Sequence, residues 1–280
     1  MTNSMETLKN AKARFDSSFN TIAYSIIAND GGKINTAEHY RHCAKLPFTS
    51  VKGDVRPTAD GGLIMCHDAG FTLNDAGFVV GYNKLSERTK LIRNMTTAEC
   101  LALVHEAEGG NRVTDFETYI RICKRYGKIA YITIRDEGME DVVPAMFAVL
   151  DKYHMRKHCI VNSFTVESLQ AVRAVDEDIM LSNVLPARKL LTKEDVDRAL
   201  SLGNCLVCTF TFPFTDYPED VNGDGVIDGF DALENSKEAL AYAREKDIRI
   251  YSAINNSNDH IDKLMAYGVM GVQINVAPEM

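Results

Sequence analysis

KIAYITIRDEGMEDVVPAMFAVLDKYHMRKHCIVNSF, residues 128–164, decides the fold. Its two ends, KIAYITIRD and HCIVNSF, are short apolar runs of strand composition. Between them, Val142–Tyr153 carries its apolar residues at helical spacing. Strand, helix and strand in this order form one unit of a parallel sheet. The alternation continues to the end of the chain. Helices are predicted at Val166–Val175, Lys193–Leu202, Ser236–Lys246 and Asp259–Tyr267, and strands at IMLSNVL (179–185), CLVCTFTF (205–212), IRIYSAIN (248–255) and Gly271–Asn275. Upstream, TIAYSIIAN (21–29) and SVKGDVR (50–56) supply two more strands, preceded by a short amphipathic helix at Thr7–Phe15. Eight strands separated by helices predict an α/β fold, a TIM-type (β/α)8 barrel with a small insertion after strand 2. An open doubly wound sheet is the alternative, but the chain has no G-x-G-x-x-G to support it. One domain over 1–280 is expected, with the insertion at about 69–112. Residues 71–95 read as a polar excursion of little periodicity, followed by a helix that begins near Thr96-Thr97 and runs through Leu103.

Composition narrows the function. The 280 residues are 45% hydrophobic and 25% charged, an ordinary globular balance. A net charge of -8 and a pI of 5.4 argue against a nucleic-acid partner or an anionic membrane surface, while leaving room for a local basic pocket. No apolar run is long enough for a transmembrane segment, and the N-terminus lacks the apolar core of a signal peptide, so a cytoplasmic protein is expected. Seven scattered cysteines suit reduced thiols. Cys205 and Cys208 fall on opposite faces of a strand and read as core residues. Asn35 is placed to cap the next helix, where His39 and His42 lie one turn apart. No third ligand accompanies them, so a solvated helix face is expected.

In a barrel of this kind the working residues sit at the C-terminal ends of the strands. Those ends read Asn29 and Asp30, Asp54 to Arg56, Thr133 to Arg135, Asn162 and Ser163, Thr209 to Thr211, Ser252 to Asn255 and Gln273 to Asn275. On strand 2, side chains two apart share a face, so Lys52, Asp54 and Arg56 stand together opposite Val51, Gly53 and Val55. A polar turn and the apolar run Leu63–Cys66 then deliver His67 and Asp68. The ring suits an anionic or polyhydroxylated ligand.

These segments resemble the glycerophosphodiester phosphodiesterase family. The matching pieces are Asn29-Asp30-Gly31, Ile34-Asn35-Thr36, Lys52-Gly53-Asp54, Thr58-Ala59-Asp60-Gly61, Cys66-His67-Asp68, Ile132-Thr133-Ile134-Arg135 and Asn162-Ser163-Phe164, with closing segments at Tyr251–Asn255 and Gly268–Gly271. Order and spacing match over about residues 22–278. The resemblance implies two histidines that move protons in phosphodiester cleavage. It also implies two glutamates and an aspartate around a divalent cation. Here His67 and Asp54 match, whereas Asn29 stands for the first histidine, and Lys52 and Thr133 stand for the glutamates. An amide cannot move a proton as an imidazole does. One remaining carboxylate is a poor site for Mg²⁺ or Ca²⁺, so a catalytic divalent metal is not expected. The ammonium of Lys52 could instead fill the cation's place, as a basic side chain does in the related phosphatidylinositol-cleaving barrels. The expected catalytic set is His67, Lys52, Asp54, Arg135 and Asn29.

A second motif, DVNGDGVIDGFD at 220–231, places oxygens where EF-hand and dockerin loops place them, with Gly225 at the turn. Asp220, Asn222, Asp224, the Val226 carbonyl, Asp228 and Asp231 are the expected ligands of a structural Ca²⁺, with Ile227 packing inward. The loop reads as half a hand between strand 6 and a following helix. Two functions follow for the whole chain. It hydrolyses or binds a small phosphodiester or phosphate-bearing ligand at the barrel's C-terminal face, or it is a catalytically inactive relative serving as a ligand-binding or structural module.

Overall fold

The computed structural model describes residues 8–9, 12, 15–16, 19–23, 35–82, 88–106, 111–135, 138–187, 189–210, 219–255 and 260–275. The chain opens with β1 (Asn20–Ala23), α1 (Ala37–Lys45) and β2 (Ser50–Pro57). Next come β3 (Leu63–Met65), β4 (Gly70–Leu73), β5 (Val79–Tyr82), β6 (Thr89–Leu91), α2 (Thr97–Ala102) and β7 (Thr114–Asp115). The alternation then runs α3 (Phe116–Tyr126), β8 (Ile129–Ile134), α4 (Met139–Lys152), β9 (Cys159–Ser163), α5 (Val166–Arg173), β10 (Met180–Val184) and α6 (Lys193–Leu202). It closes with β11 (Cys205–Phe210), α7 (Gly229–Asn235), α8 (Lys237–Glu245), β12 (Ile250–Asn255), α9 (Ile261–Ala266) and β13 (Gly271–Ile274).

The parallel strands stand in the order β1-β13-β12-β11-β10-β9-β8-β2, and β1 pairs with β2 to close the ring. This is the (β/α)8 barrel that the alternation predicts. The period of two is visible in its walls. Val51, Val55, Ala130, Ile132, Val161, Leu181 and Val207 face outward into the layer beneath the helices. Ile129, Tyr131, Ile160, Leu206 and Cys208 face inward, joined by Phe15. The valine, leucine, isoleucine and phenylalanine side chains among them each contribute roughly 1.5–3 kcal/mol on full burial. All seven cysteines are buried, with Cys205 in the outer layer and Cys208 in the inner one.

The insertion is more ordered than its sequence suggests. β4, β5 and β6 form a three-stranded antiparallel sheet, and Phe71, Val79, Ile92, Met95 and Cys100 close a small core against Ile64 and Cys66. α2 starts in a reciprocal cap between Thr96 and Glu99.

Two expectations about α1 are corrected. Thr36, not Asn35, is its cap, accepting from the His39 N–H at 3.2 Å, while Asn35 accepts from Tyr40 Oη at 2.6 Å. His39 is not on a solvated face. It is 1% exposed, its Nε2 lies 3.3 Å from Cys43 Sγ, and burial pulls its pKa down to about 4, with His42 adding to the shift.

Candidate functional site

Strand β2 sets the site. It pairs with β8 in the register Lys52↔Tyr131 and Asp54↔Thr133, so the inward residues of both strands meet at the C-terminal mouth of the barrel. At Pro57 the chain turns and comes back antiparallel as β3, where the Cys66 N–H donates to the Asp54 carbonyl at 2.9 Å. That return places His67 beside the strand carrying Lys52 and Asp54. Gly53, between them on the outer face, is where the hairpin presses closest. A Cβ there would stand 2.5 Å from the Met65 methyl and 3.1 Å from the Tyr119 ring.

The charged groups converge on Asp54. Lys52 Nζ donates to both of its oxygens, at 2.7 and 2.8 Å, and Arg135 donates to Oδ1 at 2.5 Å. Lys52 is 5% and Asp54 3% exposed. Burial alone would raise the Asp54 pKa, but Lys52 and Arg135 reverse this and hold it far below the usual carboxylate range. Burial lowers Lys52 to about 8 against the opposing pull of Asp54, with Arg135 adding to the lowering. His67 is half-exposed, and burial lowers its pKa too. Its Nδ1 lies 2.9 Å from Asp68 Oδ1. A carboxylate only accepts, so Nδ1 is the donor and Nε2 keeps its lone pair.

Beside these groups lies a cavity of about 250 Å³ lined by Lys52, His67, Thr133, Arg135, Asn162, Phe164, Val184, Phe210 and Gln273. A neutral network underlies it. Asn162 donates to Thr133 Oγ1 at 3.0 Å and accepts from Tyr131 Oη at 3.0 Å, and Ser182 Oγ lies 2.8 Å from that same phenol oxygen.

Four of the five expected catalytic residues are thus brought together: Lys52, Asp54, Arg135 and His67. The fifth, Asn29, lies outside the described residues, as do Asp30 and Thr211. Arg56 shares the face of Lys52 and Asp54, but its guanidinium donates to the main-chain carbonyl of His67, at 2.9 and 3.3 Å. It holds the loop rather than lining the cavity. Phe164 was named only as part of a matching segment, and Phe210 was not singled out by the sequence. Their rings stack with centroids 6.3 Å apart at 17°, and the Arg135 guanidinium lies 5.9 Å from the Phe164 centroid. An apolar residue at a strand end reads as core unless the barrel's mouth is known.

The trio that the resemblance implies for a divalent cation does not fit one. Lys52 puts an ammonium on Asp54, and the Thr133 hydroxyl is engaged by Asn162. Among the described residues, no group of three or more His, Cys, Asp or Glu side chains could hold a metal ion.

In the 220–231 loop the carboxylates turn to the loop's own backbone. Asp220 accepts from the Gly223 and Gly225 N–H groups at 2.7 and 2.8 Å, and buried Asp231 accepts from Val221, Asn222 and Asp228. Asp224 accepts from Lys263 at 2.5 Å. Asp228 caps α7, a short helix that starts within the loop and precedes α8, the helix expected at Ser236–Lys246. Ile227 does not pack inward. It is 40% exposed, because the loop leaves its position 8 open to solvent rather than against a neighbouring element.

Fold and cavity define a TIM-barrel protein whose charged groups gather at the mouth of the barrel. More narrowly, the chain belongs to the glycerophosphoryl diester phosphodiesterase family, whose model matches residues 30–276. Among curated proteins, none matches it in sequence. Solved structures share the fold at low identity. A Silicibacter pomeroyi protein named for the same family has a TM-score of 0.71 at 17% identity, over 93% of this chain and 91% of that one. An Oleispira antarctica phosphodiesterase, solved with its product sn-glycerol-3-phosphate, has a TM-score of 0.67 at 15% identity, over 93% and 94%. A Thermotoga maritima glycerophosphodiester phosphodiesterase has 0.63 at 19% identity, over 92% and 94%. Among the described residues, no helix is long and apolar enough to cross a membrane.

Proposed function

We propose that the barrel mouth binds the phosphate of a glycerophosphodiester-like substrate and that His67 carries a proton in its cleavage. The carrying observation is the buried Lys52–Asp54–Arg135 cluster, which sets two cations against one carboxylate beside a cavity that also holds His67. Charge-assisted donors of this kind suit phosphate oxygens. His67, neutral because of its depressed pKa and oriented by Asp68, suits a general base. The relative solved with sn-glycerol-3-phosphate supports a small phosphate ligand. Release of glycerol phosphate from glycerophosphodiesters is the test. Turnover is expected, and His67→Ala should lower it roughly 10²–10⁴-fold. A wild-type chain that binds glycerol phosphate without turnover would instead be a ligand-binding module.

The 220–231 loop is proposed to hold a structural Ca²⁺. The support is the spacing of its oxygens and a backbone already wrapped around Asp220. The Lys263 ammonium on Asp224 would have to yield to the ion. Ca²⁺ is expected to raise the melting temperature, by about 2.7 kcal/mol of stability at a hundredfold excess over Kd. A melting curve indifferent to millimolar Ca²⁺ and to EDTA would remove the proposal.

A further inference from the structure

We propose that Lys52 and Arg135, yoked by Asp54, stand in for a divalent cation, so that the barrel mouth holds its phosphate group without any metal. The inference rests on the phosphodiester reading and adds to it the source of the positive charge.

Three observations carry it. First, the faces of Asp54 that a metal would need are taken. The Lys52 ammonium bonds both carboxylate oxygens, and Arg135 shares Oδ1. A hard cation needs several anionic oxygens, and the neighbouring inward position, Thr133, supplies only a hydroxyl already accepting from Asn162. A dication entering here would have to expel a buried ammonium and would gain one carboxylate.

Second, among the described residues the cluster sets two cations against one carboxylate, where Lys52 and Asp54 are almost fully buried. Charge-assisted donors of this kind suit the oxygens of an anionic phosphate group, diester or monoester.

Third, a donor is open. Arg135 Nε is buried and makes no hydrogen bond, although the same guanidinium reaches Asp54 through its other nitrogen. Arg135 also lines the cavity together with Lys52 and His67. An unsatisfied buried donor on a cation is costly unless an acceptor arrives, and a phosphate oxygen is such an acceptor. Asp54 is then a positioning residue. It touches no phosphate, and it keeps the two cations aligned and apart from solvent.

The test is calorimetric titration of the intact chain with sn-glycerol-3-phosphate, once in EDTA and once in millimolar Mg²⁺. The expected result is the same affinity in both. Lys52→Met should weaken binding roughly 10- to 100-fold in both conditions. Lys52→Glu combined with Thr133→Glu, which gives Asp54 two carboxylate neighbours, should make binding depend on Mg²⁺. Wild-type binding that appears only with Mg²⁺ would overturn the inference and leave the phosphodiester reading standing. Absence of binding in both conditions would overturn that reading and the inference with it. The wild-type comparison needs no variant, so a misfolded variant cannot decide the outcome.

Discussion

Replacing Asp54 with Asn tests the charge cluster most directly. The shape of the side chain is kept and its charge removed, leaving Lys52 and Arg135 facing each other in a space where the carboxylate had bonded both. Removing one partner of a buried ion pair costs about 3–5 kcal/mol, because the other charge stays behind unpaired. The cost has a built-in relief. Lys52 already titrates at about 8, so giving up its proton near pH 7 takes only about 1.4 kcal/mol. The lower end, about 3 kcal/mol, is therefore expected, which for a chain of this size is a fall of roughly 6 °C in melting temperature. Lys52→Met should cost less, since Asp54 keeps Arg135. The two variants also differ in pH response. In Asp54→Asn, Lys52 loses its carboxylate partner, and its folded pKa falls further below its unfolded value. The unfolded chain then binds more protons across that window, and stability rises with pH. The gap to wild type should narrow between pH 7 and pH 9. Urea unfolding at several pH values, with circular dichroism, measures both quantities. A destabilisation within about 0.5 kcal/mol of zero, or a gap that widens as pH rises, would show that the cluster is not the buried charge hub inferred from these distances.

Other expectations concern its surroundings. His39 has a folded pKa of about 4 against an ordinary 6.5, so its contribution is present above pH 6.5 and lost as the pH falls through 4, a change of about 3 kcal/mol. His39→Gln should flatten that part of the stability–pH curve, and an unchanged acid limb would exclude His39 as its source. Gly53→Ala puts a methyl against Met65 and Tyr119 and should cost about 1–3 kcal/mol, the lower figure if the flexible Met65 tip moves aside. A melting temperature equal to wild type would mean that the hairpin is looser than its contacts imply. Arg56→Met frees the His67 carbonyl and should lower turnover by up to about 10²-fold through misplacement of His67, and a loss confined to stability would limit Arg56 to a structural part.

The barrel was legible because its signal is long. From Lys128 onward each strand and helix repeats the same alternation, and the register of Lys52 and Asp54 follows from a period of two. Four things were not legible, each for a physical reason. The strands β4 to β6 are three or four residues long and pair locally, too short for a periodicity to emerge. His39 belongs to the buried stripe of α1 with Tyr40, Cys43 and Ala44, but a histidine pair one turn apart reads as polar. Arg135 was expected near Asp54, but its direct bond to the carboxylate depends on the β2–β8 register, a tertiary fact. Phe210 looks like a core residue until the barrel places it at its mouth beside Phe164, which only the matching segment had marked. His67, by contrast, was found from its place after an apolar run, and the β3 return explains why that run leads back to Asp54.

The β2–β3 hairpin has an engineering consequence. Lys52, Asp54, His67 and the Arg56 grip on the His67 loop all ride on one out-and-back excursion of the chain, and among the described charged residues Arg135 joins them from the end of a neighbouring strand. The chemistry is in this sense a cassette. A graft of residues 50–68 together with an arginine at the matching end of the next strand would carry the charge arrangement as a unit into another eight-stranded barrel, where its behaviour could be studied apart from the rest of this chain.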